Sequence, residues 1–199
     1  MADEVKVDKE TFHNRLNQLV STWKSDKRQS SDALFGGVSS IVVLMGKTEE
    51  QPVLHKSNAF HSWLLGYEFP ATLMILTFDC LYVVTTAKKA QILAKHLEAL
   101  KGGKIQLEVL VRGKDPEENA KQFEKCVEAI RGAGKRVGIL AKDTSAGPFA
   151  DEWRKALGDL SKEIEEVDVS TALSSAAFAC KDEAELVHAP TPATEKREG

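Results

Sequence analysis

Apolar positions near the start of the chain recur at helical spacing. Phe12, Leu16, Leu19, Val20 and Trp23 fall at i, i+4, i+7, i+8 and i+11, one stripe down a helix. This predicts a helix over 8–24, with Asp8 as its N-cap. After a polar gap comes "SSIVVLMG", an unbroken apolar run that predicts a strand covered on both faces. "SNAFHSWLLGYEFP", residues 57–70, predicts a short helix over 58–65. Ser57 is its expected N-cap and Gly66 its C-terminal stop, and Pro70 forbids continuation. "ATLMILT" and "CLYVVTT" are separated only by Phe78 and Asp79, which predicts an antiparallel hairpin.

The second half alternates helix and strand. A helix over 87–101 starts at a Thr86 cap, puts Ile92, Leu93, Leu97 and Leu100 inward and ends at Gly102-Gly103. "KIQLEVLV" alternates like a strand. In "DPEENAKQFEKCVEAIRG" Asp115 caps, Pro116 takes the first helical position, Glu118 the third, and Gly132 stops the helix. "RVGIL" reads as a strand, "GPFADEWRKALGDL" as one helix, "EEVDVS" as a short strand and "TALSSAAFAC" as a helix. "KDEAEL" resembles the start of a further helix. Residues 187–199 hold two prolines, little apolar content and no periodicity, and are expected to be disordered. Strand–helix alternation with one inserted hairpin predicts an α/β domain, a single mixed β-sheet with helices on both faces.

Composition narrows the functional classes. The chain has 199 residues and a net charge of -3, so no global charge argues for wrapping nucleic acid. Residues 150–185 carry ten acidic and four basic side chains. That end could favour a basic partner, although a solvated helix face is the commoner cause of such a run. Cys80, Cys126 and Cys180 are far apart and lack CxxC spacing, against a disulfide framework or zinc site and for a reducing compartment, cytosol or nucleus. The charged N-terminus is no secretory signal, and no apolar run approaches the ~18 residues of a membrane span.

Motifs for chemistry fail on spacing. Gly46-Lys47-Thr48 follows a strand, but a P-loop needs a glycine five residues before Gly46, where Ile41 stands. The glycines at 102–104 and 132–138 follow helices and precede strands, the reverse of a phosphate loop. No cofactor fingerprint is present. No two of His13, His55, His61, His96 and His188 stand at metal-ligand spacing. His61 and Ser62 are adjacent, so on a helix they point about 100° apart and do not face each other. Phe60, Trp63 and Leu64 at i, i+3, i+4 form a burial stripe, flanked by His61 and Leu65. Trp63 and Tyr67 keep polar tips and suit the rim of a groove.

One long run, "FHSWLLGYEFPATLMILTFDCLYVVTTAKKAQIL", resembles the N-terminal domain of the large subunit of FACT, the nuclear histone chaperone. "FHNRLNQLVSTWK" before it and "AFACKDEAEL" after it fall in the same order, so the resemblance covers 5–186. It implies one lobe, 1–186, of the kind seen at the N-terminus of creatinase, prolidase and aminopeptidase P. Trp63-Leu64-Leu65-Gly66 echoes a segment of those enzymes, and Lys181 to Glu185 echoes their Lys-x-x-x-Glu linker. Their metal ligands and catalytic histidines lie in a second lobe, so no catalytic or metal-binding residue is expected here. The resemblance implies a non-catalytic protein-interaction module of a chaperone that acts on nucleosomes in transcription, replication and repair. Its expected setting is the nucleus, on chromatin. Expected partners are histones, bound weakly by this piece alone, replication or transcription factors, and the other FACT subunit through regions outside this sequence. Sequence-specific nucleic acid and membranes are not expected. Trp63, Tyr67 and Glu68 are the candidate partner contacts. The alternative reading is a regulatory or substrate-gating lobe of a metallopeptidase-like enzyme. After Leu186 the sequence departs from the family's expected linker helix.

Overall fold

A computed structural model describes residues 7–27, 33–47, 55–97 and 105–179. Among these residues thirteen elements follow one another: α1 (Lys9–Lys27), β1 (Ser40–Met45), α2 (Lys56–Leu65), β2 (Thr72–Leu76), β3 (Cys80–Thr86), α3 (Ala87–Leu97), β4 (Gln106–Arg112), α4 (Pro116–Ala133), β5 (Arg136–Ile139), α5 (Pro148–Leu157), α6 (Leu160–Glu163), β6 (Glu165–Asp168) and α7 (Ser170–Ala179). The strands form one sheet in the order β4-β3-β2-β1-β5-β6. Only β2 runs against its neighbours: β1–β2 and β2–β3 are antiparallel, and β1–β5, β5–β6 and β3–β4 are parallel. The expected mixed sheet is therefore present, and the hairpin is its reversal.

Side-chain alternation along the central strands builds two cores. Ile41 and Val43 of β1 and Met74 and Leu76 of β2 join Phe12, Leu16, Leu19 and Trp23 of α1, with Leu64 of α2, Leu93 of α3 and Leu173 of α7. On the opposite face Val42, Leu73, Ile75 and Val84 meet Phe123 and Ile130 of α4 and Phe149 and Trp153 of α5. Because strand side chains alternate between faces, a run such as "IVVLM" supplies both cores. The flanking helices lie on both faces, as the alternation predicted.

Local chemistry explains several boundaries. Asp8 Oδ1 accepts the Thr11 amide at 2.7 Å, so the predicted cap of α1 is present. The helix runs on to Lys27, past the expected end at 24, and Asp26 near its end accepts the amides of Leu34 and Phe35, each at 2.8 Å. Asp115 accepts the Glu117 amide at 2.9 Å, and Pro116 opens α4 as expected. Gly132 does not stop α4: the helix continues to Ala133, and Gly134, at φ 139°, ends it. The predicted single helix from Gly147 is two helices. Gly158, at φ 42°, breaks α5 from α6. β4 does not show clean alternation. It lies at the sheet edge, where Leu110 is buried and Val111 exposed. The expected inward Leu97 side chain, Leu100, the 102–104 glycines, Cys180, the "KDEAEL" helix and the tail lie outside the described residues.

Gly138 is required by packing. A Cβ there would meet Val169 Cγ1 at 2.9 Å and Ile41 Cγ1 at 3.3 Å. The start of α7 thus presses directly onto β5, which sets α7 beside α2.

Candidate interaction site

The segment 57–70 is a helix and a turn clamped from several directions. α2 begins at Lys56, one residue before the expected Ser57 cap. Ser57 is inside the helix and buried. His55 occupies the N-cap position without a side-chain capping bond. The capping acceptor comes from far along the chain. Asp143, in the loop after β5, accepts the Lys56 amide at 3.0 Å and the Ser57 amide at 2.7 Å. A carboxylate there satisfies two helix donors that lack intrahelical partners and favours the positive end of the dipole. Ser145 in the same loop donates to the Leu44 carbonyl at 2.9 Å, which fixes the loop across the end of β1.

The C-terminal end of α2 behaves as expected. Gly66 adopts φ 77° and its amide donates to Ser62 O at 3.0 Å. A left-handed residue at this position favours glycine. The chain then turns sharply. Phe69 is buried, and Ala71 sits at φ 51°, uncommon for a residue with a Cβ. Its amide donates to Gly46 O at 2.9 Å, and the Lys89 ammonium donates to Pro70 O. Neighbouring elements thus hold a turn that is costly in isolation.

His61 is wholly buried, while Ser62 faces solvent. The structure separates them as helix geometry requires. His61 Nδ1 accepts the Phe69 amide at 3.4 Å, and Nε2 is buried without a hydrogen-bond partner. Burial, with the Lys89 charge nearby, lowers its pKa to about 4, so the ring is neutral near pH 7. His61 and Leu65 are fully inside rather than flanking the stripe, because α2 packs against α1, β1 and α7. The two described thiols are similarly quiet: burial raises Cys80 above its ordinary value and pushes Cys126 up to about 12, opposite to a reactive thiolate. Among the described residues no group of three or more His, Cys, Asp or Glu side chains is arranged to hold a metal ion. No helix among them is long and apolar enough to cross a membrane.

The three candidate contacts do not share one environment. Trp63 is half-buried, with Phe60 at 5.8 Å between ring centroids and the Arg15 guanidinium 5.9 Å from its ring centroid. Arg15 also donates to the Trp63 carbonyl, so α1 and α2 are joined through this residue. Tyr67 is 40% exposed, and Glu68 is exposed and accepts from Asn58 Nδ2 at 2.9 Å. Tyr67 and Glu68 follow the Gly66 turn, whereas Trp63 faces a groove between α2 and α7. Asp143, Arg15 and Lys89 hold this site and were not singled out from the sequence. No motif spacing links them to 57–70.

The fold and the site define the class, a mixed six-stranded α/β lobe with a short aromatic helix packed against α1, β1 and α7. The chain belongs to the FACT complex subunit SPT16 N-terminal lobe domain family, which it matches over residues 7–172. It is 55% identical to FACT complex subunit spt16 of Aspergillus oryzae over 94% of this chain and 20% of the relative. It is 58% identical to FACT complex subunit ctc-2 of Neurospora crassa over 94% of this chain and 17% of the relative. The chain therefore spans about a fifth of the length of these relatives. The solved N-terminal domain of FACT complex subunit SPT16 from Eremothecium gossypii superposes with a TM-score of 0.75 at 35% identity, covering 87% of this chain and 38% of that one.

Proposed function

We propose that this lobe is a non-catalytic protein-interaction module of a FACT-type histone chaperone, working on chromatin in the nucleus. Membership of the SPT16 N-terminal lobe family over 7–172 carries the reading. The fold extends over one unit whose C-terminal limit we put at 186, followed by a tail. Its partners are histones, bound weakly by this lobe alone, together with replication or transcription factors. The other FACT subunit is engaged through regions outside this sequence. Trp63, Tyr67 and Glu68 supply the partner contact. Histone contact would use acidic surface in competition with DNA phosphates, and such contact is screened by salt.

Titration of the chain with fluorescently labelled core histones, at stepped ionic strength, tests this reading. Weak binding that fades as salt rises is expected, and absence of binding at low ionic strength removes autonomous histone contact. Cleavage of Xaa-Pro peptides by the chain with added divalent metal would instead support the enzyme-lobe alternative, and none is expected.

A further inference from the structure

The groove between α2 and α7 has a volume of about 370 Å³. Its α2 wall is Lys56, Ala59, Phe60 and Trp63, at i, i+3, i+4 and i+7. Its α7 wall repeats that spacing at Ser170, Leu173, Ser174 and Ala177. Two helix faces at this spacing flank a trough whose apolar lining is Ala59, Phe60, Trp63, Leu140, Leu173 and Ala177, a shape that seats a third helix. Seven residues span about 10 Å of helix axis, so the seat takes about two turns.

Charge selects the occupant. Lys56 is exposed at the mouth and has no ion pair among the described residues. It stands in the first turn of α2, where no acidic side chain accompanies it and where a cation opposes the helix dipole. Asp143 takes the Lys56 backbone amide, and no carboxylate among the described residues pairs with the ammonium. Among the described residues no other charged side chain lines the groove. We infer that this groove docks an acidic amphipathic helix of a partner protein, with aliphatic side chains against Phe60, Trp63 and Leu173 and a carboxylate on Lys56. This partner chemistry is opposite to that of histones; the two contacts share Trp63, whereas Lys56→Glu and Ala177→Phe probe groove residues outside the proposed histone contact.

Fluorescence anisotropy on the full chain tests it, with labelled amphipathic peptides EELLEELLEELLEE and KKLLKKLLKKLLKK as probes. The acidic probe is expected to bind on the order of tenfold more tightly than the basic one. Lys56→Glu, a surface change compatible with folding, should reverse that order. Ala177→Phe should fill the trough and weaken the acidic probe by about tenfold with an unchanged melting temperature. Equal binding of both probes, no binding of either, or indifference to Lys56→Glu overturns the inference. So does a Leu186→Asp chain that binds the acidic probe about tenfold more tightly than the unmodified one, since the chain's own acidic-apolar segment would then be the occupant.

Discussion

The N-termini of α2 and α4 solve one problem in opposite ways. At α4, Asp115 accepts an amide two residues on, Pro116 needs no partner, and Glu117 and Glu118 complement the dipole. Every part of that cap is contiguous. At α2, His55 makes no capping bond, the first turn holds a lysine and no acid, and both clamped amides rely on Asp143. An isolated α4 peptide carries its own start signal. α2 acquires one only when the loop after β5 has been placed, so its position depends on the assembled sheet. The candidate contact surface and the α2/α7 groove therefore rest on a tertiary cap.

The sharpest break of this contrast is acid. His61 in α2 is buried with its pKa lowered to about 4 from 6.5, while α4 buries no histidine. The unfolded state binds the proton first as pH falls, so the contribution is complete above about 6.5 and is lost progressively down to about 4. At 1.36 kcal/mol per pKa unit the loss is about 3 kcal/mol. Urea unfolding at pH 7 and pH 4.5 should show it, and a His61→Gln chain should lose the part due to this residue. An equal acid slope in both chains would break the assignment.

Removing the distant cap comes next. Asp143→Ala leaves two helix amides without their charged acceptor, and hydrogen bonds to charged groups are worth about 1.5–3 kcal/mol. A loss of about 2–3 kcal/mol is expected, with hydrogen-exchange protection falling across α2 while α4 keeps its own. Asp115→Ala should cost about 1 kcal/mol, with lost protection confined to the first turn of α4. Equal losses from the two substitutions would erase the distinction between local and tertiary caps.

The same distinction governs what the sequence revealed. Strand and helix order, the hairpin, the Asp8 and Asp115 caps and the Gly66 stop all follow from residues a few positions apart. The α1 stripe from Phe12 to Trp23 is buried throughout, because a 3.6-residue period describes a one-sided helix well. Ser57 misled because its preference for capping is local, while a carboxylate 86 residues away took the amides. Gly132 misled because its helix could pass through it at modest cost, about 1 kcal/mol relative to alanine. The stripe expected in 57–70 is present in part: Phe60 and Leu64 are buried, Trp63 is half-buried, and Tyr67 stays out. Arg15 over Trp63 had no signal in either segment, since cross-helix pairs carry no fixed spacing.

The smallest effect separates folding from contact at the tip of the segment. Glu68 meets Asn58 through one exposed hydrogen bond, and such a bond, open to water, contributes little when water can replace either partner. Glu68→Gln should therefore shift stability by less than about 0.5 kcal/mol, and its urea midpoint should match the unmodified chain. Asp143→Ala disturbs the same helix from its other end and couples stability to surface geometry. Glu68→Gln changes surface charge and leaves the helix in place. If histone titration weakens with Glu68→Gln while the midpoint stays fixed, the carboxylate meets the partner directly. If binding falls only with Asp143→Ala, in proportion to lost α2 protection, the segment serves as a support and the contact lies elsewhere on the lobe.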